Sequence, residues 1–294
     1  MGDEEVTNGI TAIVLGEAIK AAKDSADLKE AGGKLAKSAL VVTTTINNAL
    51  LPLAAINFGF QKAREYFEKR FAKDMEAKLA DIPAEQIIEP KASVAGPALN
   101  GLAFAHDEPA LKDMFLNLLS KSMDCREAVK AHPAYVEIIK QMSSFDAEVA
   151  TTLLKKQTWE IVEFRLANAN GGYNVVYKNV LPNNGSTKRY SETFEVQHAL
   201  NNLERLGLLQ ITYAIWAESE SAYKWADQHA YFKNLEAAGE AANKTPQIGK
   251  GLVLVSDLGV QFGDIVGLWK VGMVTTKIKS QEVLHVDIDQ EHGL

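Results

Sequence analysis

The sequence predicts a mainly α chain with a smaller α+β part: an N-terminal helical region over 1–143, joined to a winged-helix-like domain over 144–294. Three observations predict it. Apolar residues recur at helical spacing through the first half. After Trp159 the pattern changes to alternation rich in β-branched and aromatic residues. A helix ending at Gly207 then runs directly into an apolar strand pattern, "LNNLERLGLLQI", as the recognition helix and first wing strand do in winged-helix modules.

In the first half, residues 10–23 place Ile10, Ile13, Val14 and Ile19 near one helix face. Gly32 and Gly33 mark a loop. A second helix runs from about 36 into the fifties, with Pro52 as a kink or restart. Residues 57–79 read as one amphipathic helix with Phe60, Phe67 and Phe71 on a stripe, stopped by Pro83. Pro90, Gly96 and Pro97 make 87–97 an extended connector that can lead into a short helix. Asp107 is the expected cap of the helix that Pro109 opens, with Leu111, Met114, Phe115, Leu118 and Leu119 as its buried stripe. His132-Pro133 opens the next helix. Ser143 or Ser144 caps another to about 157, with Asp146 and Glu148 in the first turn, where the helix dipole favours acid.

In the second half, 160–166 and 173–180 read as a strand pair around Gly171-Gly172. A helix follows over 194–206, capped by Gly207, then a strand over 208–216. Residues 222–242 read as partly helical and 252–255 as a short strand. Ser256 or Asp257 caps a last helix through Trp269.

The bulk properties restrict function more than fold. Of 294 residues, 47% are hydrophobic and 23% charged, enough apolar material for a core without staples. Cys125 is the single cysteine, which excludes an internal disulfide and a multi-cysteine zinc site and fits a reducing cytoplasm. The net charge of −7 argues against a long-range basic field for nucleic acid or anionic lipid. The start, MGDEEVTNG, has no signal-peptide pattern, and Val6 stands where myristoylation wants Ser or Thr. Residues 39–60, the nearest approach to a membrane span, are broken by Thr43, Thr44, Thr45, Asn47, Asn48, Pro52 and Asn57.

One block is distinctive: "EPALKDMFLNLLSKSMD" over 108–124, then "HPAYVEIIKQMSSFDAEVATTL" from His132. Its F-x-N-L-L helix (Phe115, Asn117, Leu118, Leu119), its S-x-M-D end and its H-P-x-Y-V-x-I-I-K-Q-M-S run resemble the Abi-alpha, or abortive infection alpha, family. The resemblance implies a role in prokaryotic antiphage defence and carries over no catalytic residues. It is strong over about a sixth of the chain and looser over 10–270.

No catalytic, cofactor-binding or metal-ligating set is legible. The six histidines show no H-x-x-x-H or H-E-x-x-H spacing, and the glycines form no phosphate loop. Cys125 has no visible base and reads as a plain thiol. His132 reads as a helix-entry residue whose ring bonds nearby backbone, and Asn117 as an amide tying helix to loop. Both remain candidate interaction residues, with Gln197, His198, Asn201 and Arg205 on the exposed face of 194–206. The expected function is therefore non-enzymatic defence in the cytoplasm, exerted by binding another protein of phage or host, as sensor or regulator. Homo-oligomers are compatible with it. The alternatives are a nucleic-acid-binding winged-helix regulator, for which the helix lacks a basic footprint, and a membrane-perturbing effector using residues 10–60.

Overall fold

A computed structural model describes residues 61–183, 185–188, 194–268 and 277–280. The expectations for 10–23, for the helix from about 36 into the fifties and for the stretch 39–60 lie outside them, as do residues 57–60 of the helix expected over 57–79. The described residues divide into two compact units, 61–151 with 261–268 and 152–260 with 277–280.

The first unit is helical. Helix α1 is Gln61–Lys69 and α2 is Phe71–Leu79. The single helix expected here breaks at Arg70, whose φ is −124°. Hydrogen bonds from Arg70 N to Tyr66 O and from Asp74 N to Arg70 O carry the ladder through, so the break is a bend. The buried Phe71 ring lies 5.1 Å from Phe67 and 6.2 Å from Tyr66.

Helix α3, Ala92–Ala105, occupies much of the expected connector and contains Pro97. Val94, Ala98 and Leu102, with Ala95 and Leu99, are buried at i, i+4 spacing. That stripe outweighs one proline. The ladder bond Pro97 cannot make is to the carbonyl of Ser93, an exposed residue in the helix's first turn. Helix α4, Pro109–Ser122, buries its expected stripe, but its N-cap is Glu108. Asp107 does not cap; its carboxylate lies 3.6 Å from His106 Nε2. Helix α5, Pro133–Lys140, starts as expected, with His132 at the cap.

Helix α6, Ser144–Leu153, opens on a reciprocal pair. Ser143 Oγ accepts from Asp146 N at 3.1 Å, and Asp146 Oδ2 accepts from Ser143 N at 2.8 Å. The helix stops short of 157.

The second unit is built on a sheet ordered β2-β1-β5-β3, antiparallel throughout. Its strands are β1 Thr158–Ala167, β2 Tyr173–Val180, β3 Leu209–Thr212 and β5 Thr245–Val255. Trp159 Nε1 donates to Leu153 O at 2.8 Å, tying the start of β1 to the residue that ends α6. The short strand expected over 252–255 extends back to Thr245. Pro246, Gly249 and Gly251 hide the strand pattern, but all ten residues of β1 find partners, from Thr158 opposite Leu254 to Ala167 opposite Thr245.

The strand expected over 208–216 is two. Thr212 Oγ1 accepts from Ala214 N, turning the chain. The next strand, β4 (Ile215–Ala217), pairs with β6 (Ile278–Ser280) in a separate sheet. Helix α7 is Glu195–Arg205, α8 is Ala230–Ala242 and α9 is Asp257–Ile265. Ser256 Oγ accepts from Gly259 N at 2.9 Å and caps α9.

Val162, Phe164 and Leu252 project from one face of the sheet into a core with Phe232 and Leu235 of α8. His229 caps α8 through a ring nitrogen that accepts from Tyr231 N, and the ring itself is fully buried. Both edge strands are guarded against further pairing. Register shifts interrupt β2 between Val175 and Val180, and Glu204 accepts the Ile211 N–H of β3 at 2.8 Å.

Candidate functional site

The candidate face is built on α7. Val196, Ala199, Leu200 and Leu203 recur at helical spacing and are buried, which fixes the opposite face outward. The helix ends in a Schellman motif: Leu208 N donates to Leu203 O and Gly207 N to Glu204 O. Gly207 has a φ of +77°, the left-handed conformation this ending needs.

Gln197, Asn201 and Arg205 follow one another four residues apart, with His198 beside them. Gln197 is half-buried and the other three are exposed. Two are tied locally. Asn201 Oδ1 accepts from Asn179 Nδ2 at 3.1 Å, and Arg205 donates Nε and Nη2 to Asn202 Oδ1 at 3.0 and 2.8 Å.

Beneath Asn201 lies a polar group that the sequence reading missed. Asn179 adopts a φ of +57° within β2. The Tyr213 hydroxyl accepts from Asn179 N at 2.9 Å and donates to Asn179 Oδ1 at 3.0 Å. Burial pushes the Tyr213 phenol far above its ordinary value, and the Glu163 charge adds to the rise. Glu163, 5% exposed, is held by Arg165 Nε at 2.6 Å and Nη2 at 2.5 Å. Arg165 in turn lies 4.1 Å over the Tyr173 ring. Glu163 and Arg165 stand two apart on β1 and so share a face. The E-x-R spacing within a strand pattern was the available signal. The glycine opposite, Gly249, is what makes room for the guanidinium, since a Cβ there would lie 2.5–2.6 Å from it.

In this arrangement the phenol is protonated, the carboxylate is matched by a guanidinium and the amides pair with one another. It holds a surface in shape. The two remaining candidates lie in the first unit, apart in sequence from α7. His132 Nδ1 accepts from Ala134 N at 3.1 Å as the cap of α5. Asn117 Nδ2 donates to Val266 O at 2.8 Å and to Asp113 Oδ2 at 3.1 Å. Arg126 grips both carboxylate oxygens of Asp124 at 2.8 and 2.6 Å, beside the exposed Cys125. Among the described residues, no cluster of three His, Cys, Asp or Glu could hold a metal ion, and no helix is long and apolar enough to cross a membrane.

The family model for abortive infection alpha matches residues 63–266, most of the chain. The chain belongs to the abortive infection alpha family. The matched stretch begins within α1 and ends at Val266, the residue Asn117 holds, so it takes in the helical core and the four-stranded sheet. Membership links this abortive infection alpha chain to a defence-related role in abortive infection. No curated protein and no solved structure matches it.

Proposed function

We propose that this abortive infection alpha protein acts in defence without catalysis of its own, by binding another protein in the cytoplasm as a sensor or regulator. The binding surface is the outward face of α7. One observation carries the reading. The eleven residues of α7 include two acids, Glu195 and Glu204, against one arginine, Arg205, which is already bonded to Asn202. Such a face suits a polar protein surface and lacks the cations that phosphate contacts need.

The reading places α7 in a winged-helix-like arrangement. In support, α7 leads directly into β3, β3 pairs with β5, and β5 pairs with β1. A long segment over 213–244 stands where a short wing would. The polar groups fit a binding role as well: the exposed His132 and the buried His229 serve as helix caps, and the buried Glu163 and Asp124 are matched by arginines.

The test is plaque formation in cells carrying the gene. Gln197→Ala with His198→Glu and Arg205→Glu is expected to abolish protection while leaving the thermal transition unchanged. Full protection by that folded variant would remove α7 from the account. A gel shift at low salt, lost in the same variant, would replace the protein partner with nucleic acid.

A further inference from the structure

The first unit carries a cleft of about 290 Å³ between α3, α4 and the end of α5. That lies just under the range of about 300–1,000 Å³ typical of small-molecule sites and suits one or two side chains. Phe115 and Ile139, both nearly fully buried, form its floor with Leu111 and Met142. Gly101 deepens it, since a Cβ there would meet the Phe115 ring at 2.5 Å. Phe104 stands at the wall, 63% exposed.

Two charged residues line the cleft, and they differ. The Lys140 ammonium is held by both carboxylate oxygens of Glu137, at 3.1 and 3.2 Å. Glu108 occupies the N-cap position of α4 without capping it. Among the described residues no hydrogen bond or ion pair reaches its half-buried carboxylate. The cleft thus offers apolar walls and one unmatched negative charge.

We infer that this cleft receives an apolar side chain and an adjacent lysine or arginine from a helical segment of a partner protein. The charge decides the occupant. An acidic segment would meet Glu108 unscreened, whereas a basic one supplies the missing partner. This rests on the reading of the chain as a partner-binding protein and adds a second surface, distinct from α7.

The experiment uses the full chain, labelled with nitrogen-15, and a synthetic helical peptide presenting Leu and Arg one turn apart. A second peptide carries Glu in place of Arg. The Leu–Arg peptide is expected to shift the amides of Gly101, Phe104 and Glu108 saturably and to bind at least about tenfold more tightly than the Leu–Glu peptide. Glu108→Lys should invert that order, and Phe104→Ala should weaken both. No saturable shift with the Leu–Arg peptide, or an unchanged order after Glu108→Lys, overturns the inference. Plaque counts play no part here, so loss of the α7 reading would appear separately.

Discussion

Asn117 donates its side-chain amide to the main-chain carbonyl of Val266, 149 positions further along the chain. Between the two the polypeptide leaves the first unit, builds the whole sheet and returns. Gly267 follows with a φ of +73°, and a Cβ there would lie 2.8 Å from Asn117 Nδ2. The carbonyl of a fully buried residue is thus satisfied by one amide, at a turn where only glycine leaves room.

Asn117→Ala is expected to cost about 1–3 kcal/mol, the usual penalty for leaving a buried acceptor unmatched. Asn117→Asp, although isosteric, should cost more at neutral pH. It turns the donor into a carboxylate facing both the Val266 carbonyl and Asp113. Urea unfolding at pH 7 and pH 4 separates the two. The Asp variant should recover part of its loss in acid, and equal losses at both pH values would show that the amide serves as packing alone.

The reciprocal pair at α6 makes a second quantitative case. Ser143→Ala removes the acceptor for Asp146 N and should cost about 1 kcal/mol. Asp146→Ala should cost a similar amount, and the double variant less than the sum, because each side chain answers the other's backbone. Strict additivity in denaturant melts would contradict the box.

Acid should weaken the first unit through Asp124. The Arg126 guanidinium, hydrogen-bonded to both its oxygens, holds that buried carboxyl below its ordinary value. A depressed native pKa stabilises the fold above the ordinary carboxylate range of about 3.9, and the contribution fades as the pH falls toward the native value. The gap in urea midpoint between the wild type and Asp124→Asn is therefore expected to be wide at pH 7 and narrow at pH 3. A gap independent of pH would assign the loss to shape rather than charge.

The sequence made some of these features legible and concealed others for definable reasons. Elements whose signal is local were readable: the His132-Pro133 start of α5, the Gly171-Gly172 hairpin and the Gly207 ending of α7. The burial of Leu111, Met114, Phe115, Leu118 and Leu119 was readable too, because a continuous stripe admits one helical face. The full length of β5 was not, since Gly249 and Gly251 look like breakers until Arg165 and Tyr213 are seen to lie against them. Helix α3 was hidden by Pro97, whose missing ladder bond falls at Ser93, an exposed residue in the helix's first turn. The α7 candidates were visible as an exposed face. Asn179 and Tyr213 beneath them come from separate elements, and nothing in linear order joins them.

Gly249 gives the sharpest test of that polar group. Its Cβ would collide with the Arg165 guanidinium, which is free to move only by releasing Glu163. Gly249→Ala should therefore destabilise by more than the steric cost of about 1–3 kcal/mol for an overpacked site, because a buried carboxylate loses its counter-charge. Arg165→Met in the same chain vacates the space and should absorb the collision. Glu163→Gln added to both removes the orphaned charge. The cycle is thus expected to show strong coupling between positions 165 and 249, with the triple variant more stable than Gly249→Ala alone. Thermal melts of the single, double and triple variants measure it. At Gly251 the same substitution meets the backbone carbonyl of Thr212, which no side-chain change can vacate, so Gly251→Ala should resist rescue by Arg165→Met. Rescue at both positions would mean that the sheet relaxes as a whole and that Arg165 is not what Gly249 accommodates.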